Sequence, residues 1–145
     1  MRIMGLDPGE KRIGVAVSDP MAMTAQPVQV IDHSSPETAL QAIKDTCARY
    51  EVERVVLGFP RNMDGTEGRK AQQARELAAL LQEKLGLEVV LWDERLSTRA
   101  VENTLLAADT SRRKRKKVVD KLAAAYILQG YLDWLAKENG KEASD

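Results

Sequence analysis

The chain has 145 residues, 43% apolar and 30% charged, ordinary values for about one soluble domain with a real core. Lys+Arg and Asp+Glu balance at 22 each, so net charge is silent about polyanionic partners; a single Cys47 and a single His33 exclude an internal disulfide, a cysteine zinc site and an imidazole cluster. No apolar run approaches the roughly 20 residues of a membrane span, and Met1-Arg2 leads straight into a strand rather than a signal peptide, so a cytoplasmic protein with no membrane contact is expected.

Arg2 to Asp7 is a short apolar run that reads as a central strand closed by a carboxylate. Pro8-Gly9 turns the chain, and Arg12 to Asp19 reads as a second strand, antiparallel to the first across a short connection. Its Ile13, Val15 and Val17 alternate with Gly14, Ala16 and Ser18, which leaves one small-residue face open to close approach. Val28 to Ile31 is a third strand, and Pro27 and Gln29 place it at an edge.

Ser35-Pro36-Glu37 opens a helix, with a capping hydroxyl followed by proline at the first helical position. Leu40, Ile43, Cys47 and Tyr50 follow at helical spacing, which makes Cys47 a core residue rather than a reactive one. Arg54 to Pro60 is a buried strand, and Arg61 to Gly68 is a polar loop. A helix runs from about Arg69 to Lys84 and stops at Gly86. Glu88 to Asp93 is the fifth strand. Ser97 caps a helix carrying Val101, Thr104, Leu105 and Ala108. A basic loop holding Arg112, Arg113, Lys114, Arg115, Lys116 and Lys117 comes next, then a last helix from about Val118 to Lys137. Residues 1–137 form one domain in this reading, and 138–145 a polar, frayed tail. The order β-β-β-α-β-α-β-α-α defines an α/β fold with a mixed five-stranded sheet. Its first three strands are antiparallel, the last two are parallel, and helices cover both faces.

Asp7 ends the first strand, Glu94 follows the fifth, and Asp120 lies in the first turn of the last helix. A carboxylate at the end of a buried strand must be solvated, paired or holding a cation. In a sheet of this order the ends of the parallel strands share one edge, where ligands bind. Three carboxylates converging there repel one another, and divalent cations relieve that. With neither histidine nor a cysteine pair available, the ligands are oxygens, which favours Mg2+ or Mn2+ over zinc. One or two such ions suit phosphodiester hydrolysis, in which a pair about 4 Å apart activates water and stabilises the leaving oxygen. Each acid also has a plainer role: Asp7 as a turn residue, Glu94 pairing with Arg95, and Asp120 favouring a helix start.

Four blocks extend this reading. They are Gly5-Leu6-Asp7-Pro8-Gly9 with Arg12 to Ala16, Gly58 to Thr66, Asp93 to Thr98, and Val119 to Ala124. In this order they resemble the YqgF (RuvX) family, whose fold is ribonuclease H-like and shared with the RuvC resolvases. The resemblance implies that Asp7, Glu94 and Asp120 form an acidic triad that is both catalytic and metal-binding. It also implies a role in maturing the 5′ end of pre-16S rRNA, with Holliday-junction resolution as the alternative. Arg61 after Pro60 departs from the neutral or apolar residue expected there.

Further contacts to structured RNA or branched DNA are expected from backbone amides around Gly9, where glycine lets a phosphate come close. Lys11, Arg12, Asn62, Arg95 and Lys121 are further candidates, with Asp64 and Thr66 in the same loop as Asn62. The cations Arg112 to Lys117 supply affinity and salt dependence rather than sequence readout. At 4% aromatics a base-stacking platform is not the main binding mode. A junction resolvase would act as a homodimer with two sites. A nucleic-acid-binding module without catalysis leaves three acids unexplained. An actin-like ATPase needs two lobes, and the chain has length for one.

Overall fold

The computed structural model describes residues 1–9, 11–32, 35–59, 68–93 and 112–144, with side chains in the last segment described for 122–140. The elements are β1 (Arg2–Pro8), β2 (Arg12–Ser18), β3 (Ala25–Asp32), α1 (Pro36–Tyr50), β4 (Val52–Phe59), α2 (Arg69–Leu85), β5 (Glu88–Asp93) and α3 (Arg112–Ser144). The sheet order is β3-β2-β1-β4-β5, so β1 is central. β1 pairs antiparallel with β2, β2 antiparallel with β3, and β4 parallel with both β1 and β5, as the short connections of the first three strands and the helices before the last two predict. The helix placed at Ser97 to Ala108 lies outside the described residues.

Strand alternation sorts the core into two layers. Met4, Leu6, Ile13, Val15, Val55 and Leu57 pack with Ile43 and Cys47 of α1 and Ala74 and Leu81 of α2 on one face. Ile3, Ala16 and Val56 pack with Ala124, Ile127, Leu128, Tyr131 and Leu132 of α3 on the other. The small face of β2 is therefore approached closely, and α3 is what approaches it. β3 is an edge strand as expected, though it starts earlier, at Ala25. Val15 faces Gln29 while Ala16 faces Pro27, so Val28 is an extra residue in a bulge. That bulge lets proline sit in the strand.

Three local readings change. Ser35 does sit before Pro36, but its hydroxyl makes no capping hydrogen bond; its backbone carbonyl accepts from the Ala39 amide at 3.0 Å instead. The basic run is helical rather than a loop, because α3 begins at Arg112. Nor does the last helix stop at Lys137, since α3 continues through the polar residues to Ser144.

α3 is tied to both sides of the sheet. The Gln129 side chain accepts from the Ala25 amide at 2.9 Å and donates to the Met23 carbonyl at 3.0 Å. The loop it holds is itself ordered by Asp19, whose carboxylate accepts from the Thr24 and Met23 amides at 2.9 and 2.7 Å; these bonds hold its pKa below the usual value. On the far side Arg54 donates to the Tyr131 hydroxyl and to Glu88, both at 2.9 Å. Tyr131 also packs edge-on against Trp92, with centroids 5.5 Å apart, and Trp134 completes the aromatic cluster.

Cys47 is buried with its Sγ 3.9 Å from Met4 Sδ, and burial pushes its thiol up to about 11. A raised pKa means that the folded chain keeps its proton while the unfolded chain releases it, so stability falls as pH rises from about 9 to about 11. Cys47→Ala is expected to flatten that alkaline slope in denaturant titrations, and native Cys47 is expected to resist iodoacetamide at pH 8 until the protein unfolds. A slope unchanged by the substitution would place the alkaline sensitivity elsewhere.

Candidate active site

Asp7 stands one residue before the end of β1, half-buried, directly across from Gly14 of β2. The place of β1 between β2 and β4 fixes the strand on both sides. Ile3 and Ala16 lie on the α3 face, so alternation puts Asp7 on that face too, together with Gly14 and Arg12. On the parallel side Leu6 pairs with Leu57 and Leu57 with Leu91. Continuing that register, Gly58 and Trp92 lie level with Asp7, and Phe59 and Asp93 one step beyond. The carboxyl ends of β1, β4 and β5 therefore share one edge.

The approach of α3 sets its position relative to Asp7. A Cβ on Gly5 would lie 2.7 Å from Leu128 Cβ and 3.0 Å from the Ala124 carbonyl oxygen. Only glycine leaves room for that contact. Further along α3, Gln129 and Tyr131 reach Ala25 and Arg54, which lie level with the start of β1. α3 thus runs against β1, and the turn before Ala124 lies toward Asp7. One helical turn of about 6 Å carries the backbone from position 124 to 120. Two strand residues of about 6.6 Å carry it from Gly5 to Asp7. Positions 7 and 120 therefore belong to the same end of the molecule. Asp120 is the ninth residue of α3 and sits in its third turn, not its first. The favourable helix-start role for that carboxylate is removed, since the dipole acts within the first turn.

The remaining expected residues divide plainly. Gly9 does not offer its amide to a phosphate: the N–H donates to the Arg12 carbonyl at 2.8 Å, and a Cβ there would lie at the same distance from that oxygen. Its smallness serves the hairpin. Lys11 is exposed beside it, and Arg12 opens β2, half-buried. Arg112 to Lys117 and Lys121 lie on α3, backbone only. Asn62, Asp64, Thr66, Glu94 and Arg95 lie outside the described residues. Among the described residues no three histidine, cysteine or carboxylate side chains gather into a metal-binding group. Of the acidic trio, only the Asp7 side chain is described. Sequence reading missed a cleft of about 750 Å3 on the other face, beside Pro8, with Arg69 and Lys70 among its lining. No local motif marks it, because its walls come from β1, α1 and α2. Among the described residues no helix is long and apolar enough to cross a membrane.

This sheet, with β1 central and helices on both faces, is the ribonuclease H-like architecture found in junction resolvases. The Fowlpox virus resolvase, solved with Holliday junction DNA, superposes with a TM-score of 0.57 over 93% of this chain and 99% of that chain at 15% identity, a likeness of fold alone. The chain belongs to the RuvX family: the family model, described as a Holliday junction resolvase, matches residues 1–134. A protein of Desulfitobacterium hafniense is 55% identical over 141 residues, covering 97% of this chain and 98% of its own. One of Listeria innocua is 53% identical over 135 residues, covering 92% and 98%. Both carry the description "Putative pre-16S rRNA nuclease".

The contact at Gly5 is open to test. Gly5→Ala is expected to destabilise the fold by about 1–3 kcal/mol, as overpacking does, because α3 must move off β1. Its thermal midpoint should drop, and cleavage should fall further than that of an equally destabilised variant in the α1–α2 layer, such as Leu81→Ala. Equal losses in the two variants would show that the contact serves stability only.

Proposed function

We propose that this chain is a divalent-metal-dependent nuclease that hydrolyses phosphodiester bonds in structured RNA, the 5′ end of pre-16S rRNA being its substrate. The reading rests on identity above one half to relatives described in those terms, over nearly the whole of each chain. One structural observation carries the chemistry: the central strand ends in a carboxylate on the face where α3 brings position 120 to the same end. Nucleases of this fold family typically use divalent metals. Asp7, Glu94 and Asp120 would hold Mg2+ or Mn2+, an all-oxygen donor set suited to a hard cation. When bound, one or two such ions supply Lewis acidity and a more acidic water.

The protein's own part is placement. Asp7 pairs with Gly14 of β2 and directly follows Leu6, which pairs with Leu57 of β4, so its backbone is set before substrate arrives. Glu94 follows Asp93 by one peptide link, about 3.8 Å between Cα atoms, and Asp93 lies level with the end of β4.

Arg112 to Lys117 attract the substrate. Six cations open α3 and its first turn holds no acidic residue, so they occupy the end of the helix dipole that disfavours positive charge. A phosphate backbone reverses that sign. Arg12, on the face of Asp7, is a further backbone contact, and Lys11, Asn62, Arg95 and Lys121 remain the other candidates of the sequence.

The description of the family favours a second reading, a resolvase acting on branched DNA as a homodimer. Cleavage of RNA and junction substrates by the same preparation separates the two. The reading places the protein in the cytoplasm, where ribosomes mature.

Asp7→Asn is expected to cut turnover by more than about 100-fold, the upper end of the loss caused by changing a mere supporting group of a metal site. Melting temperature and RNA affinity should hold. Full activity in this variant would refute the triad. Replacing Arg112 to Lys117 with glutamine is expected to weaken binding evenly across sequences and to reduce the salt slope by about 1 for every phosphate the helix no longer neutralises. An unchanged slope would make the run a solvated helix start.

A further inference from the structure

We propose that the cleft on the α1–α2 face holds an unpaired stretch of the RNA strand flanking the bond to be cut. This rests on the nuclease reading and adds a substrate feature to it, a single-stranded tail. The cleft measures about 750 Å3, inside the range of about 300–1,000 Å3 typical of pockets that enclose one small ligand. It takes nucleotides of one strand, whose unstacked bases can be splayed out into a pocket, whereas an RNA duplex keeps its bases stacked inside.

Its chemistry is divided as a nucleotide is divided. Pro8, Pro36, Leu77 and Leu80 supply an apolar floor against which a base can lie. Arg69 and Lys70, both exposed, stand at one end where α2 begins, and no carboxylate occupies that turn. They match the charge of a phosphate. Between them and the floor is Gln73, whose amide both donates and accepts. Glu76 lines the cleft farther along α2 and repels a second phosphate, which confines the anion to the cationic end. Among the described residues no aromatic side chain lines the cleft, so it discriminates paired from unpaired strands rather than one base from another.

Its place makes the link to cleavage. Pro8 adjoins Asp7 on β1, and consecutive strand residues face opposite sides of the sheet. A strand cut on the α3 face need only pass over the sheet edge at Pro8-Gly9 to enter the cleft. Doing so requires it to leave its duplex.

The test uses the full chain carrying Asp7→Asn, so that RNA is bound without being consumed. Fluorescence anisotropy compares a blunt RNA hairpin with the same hairpin bearing a single-stranded tail. The unaltered cleft is expected to prefer the tailed RNA. Arg69→Ala with Lys70→Ala should weaken tailed binding about tenfold and cut its salt slope by about 1.4, at about 0.7 for each single-strand phosphate set free. Blunt affinity should stay within about twofold, and Arg69→Lys with Lys70→Arg should restore the preference. Leu80→Glu should abolish the preference without altering the blunt hairpin. Equal losses on both RNAs, or no loss on the tailed one, overturn the proposal. Binding is read apart from turnover: a preference for tails in this variant, with no RNA cleavage by the chain that keeps Asp7, defeats the nuclease reading and leaves the cleft standing.

Discussion

The absent side chain at Gly5 sets the relation between sheet and helix on which the rest depends. A Cβ there would meet the root of Leu128 and the backbone of Ala124, neither of which can swing aside. With hydrogen in its place, α3 rests on the central strand and buries Ala124, Ile127, Leu128 and Leu132 against it. The same seat orients the helix, so that its start comes to the carboxyl end of β1. The hydrophobic layer and the chemistry thus share one contact. Loosening the first displaces the second, which is how an active site can be sensitive to a residue that touches no substrate.

The arrangement of the chain then does electrostatic work that net charge conceals. β1, β3, β4 and β5 all end at one edge, because β3 is antiparallel to β2 and β4 and β5 run parallel to β1. α1 and α2, which follow β3 and β4, start at that edge, and α3 starts there by running against β1. Three helix N-termini, each carrying a partial positive charge, therefore point the same way. Cations at the starts of α2 and α3 add to them. A chain with 22 charges of each sign can still gather cations at one end of its sheet, beside the carboxylates of Asp7 and Asp93 and, in the first turn of α1, Glu37.

Much of this was legible because it obeys local rules. The near-continuous apolar run of β1 marks a strand covered on both faces, the alternation in β2 marks its small face, Cys47 falls on a helical apolar stripe and is buried, and Gly86 stops α2 in the left-handed region at φ 68. The errors have physical causes. Arg112 to Lys117 resembles a solvated loop because like charges repel and the dipole opposes them. Yet arginine and lysine are good helix formers, and elongation from a packed stretch costs far less than starting anew. The segment from Ala123 to Leu132 is that anchor. The Ser35 hydroxyl makes no cap hydrogen bond although its sequence context favours one; the helix start there relies on Pro36 and a backbone bond. The turn at Gly9 was read as a phosphate cradle when the hairpin needs the same amide. Side chains from several elements met only in space, which is why the cleft beside Pro8 had no signature.

Asp120 lies in the third turn of α3 rather than the first. A carboxylate in the first turn is explained by the dipole alone and needs no ligand. In the third turn that explanation lapses, and Asp120 still lies one turn before the residue that packs on Gly5. The cations ahead of it then take a different meaning. They extend the helix past position 120, toward the end of the sheet at which β1 finishes. On the proposed reading, attraction and cleavage are successive turns of one helix, and their separation is set by helical rise.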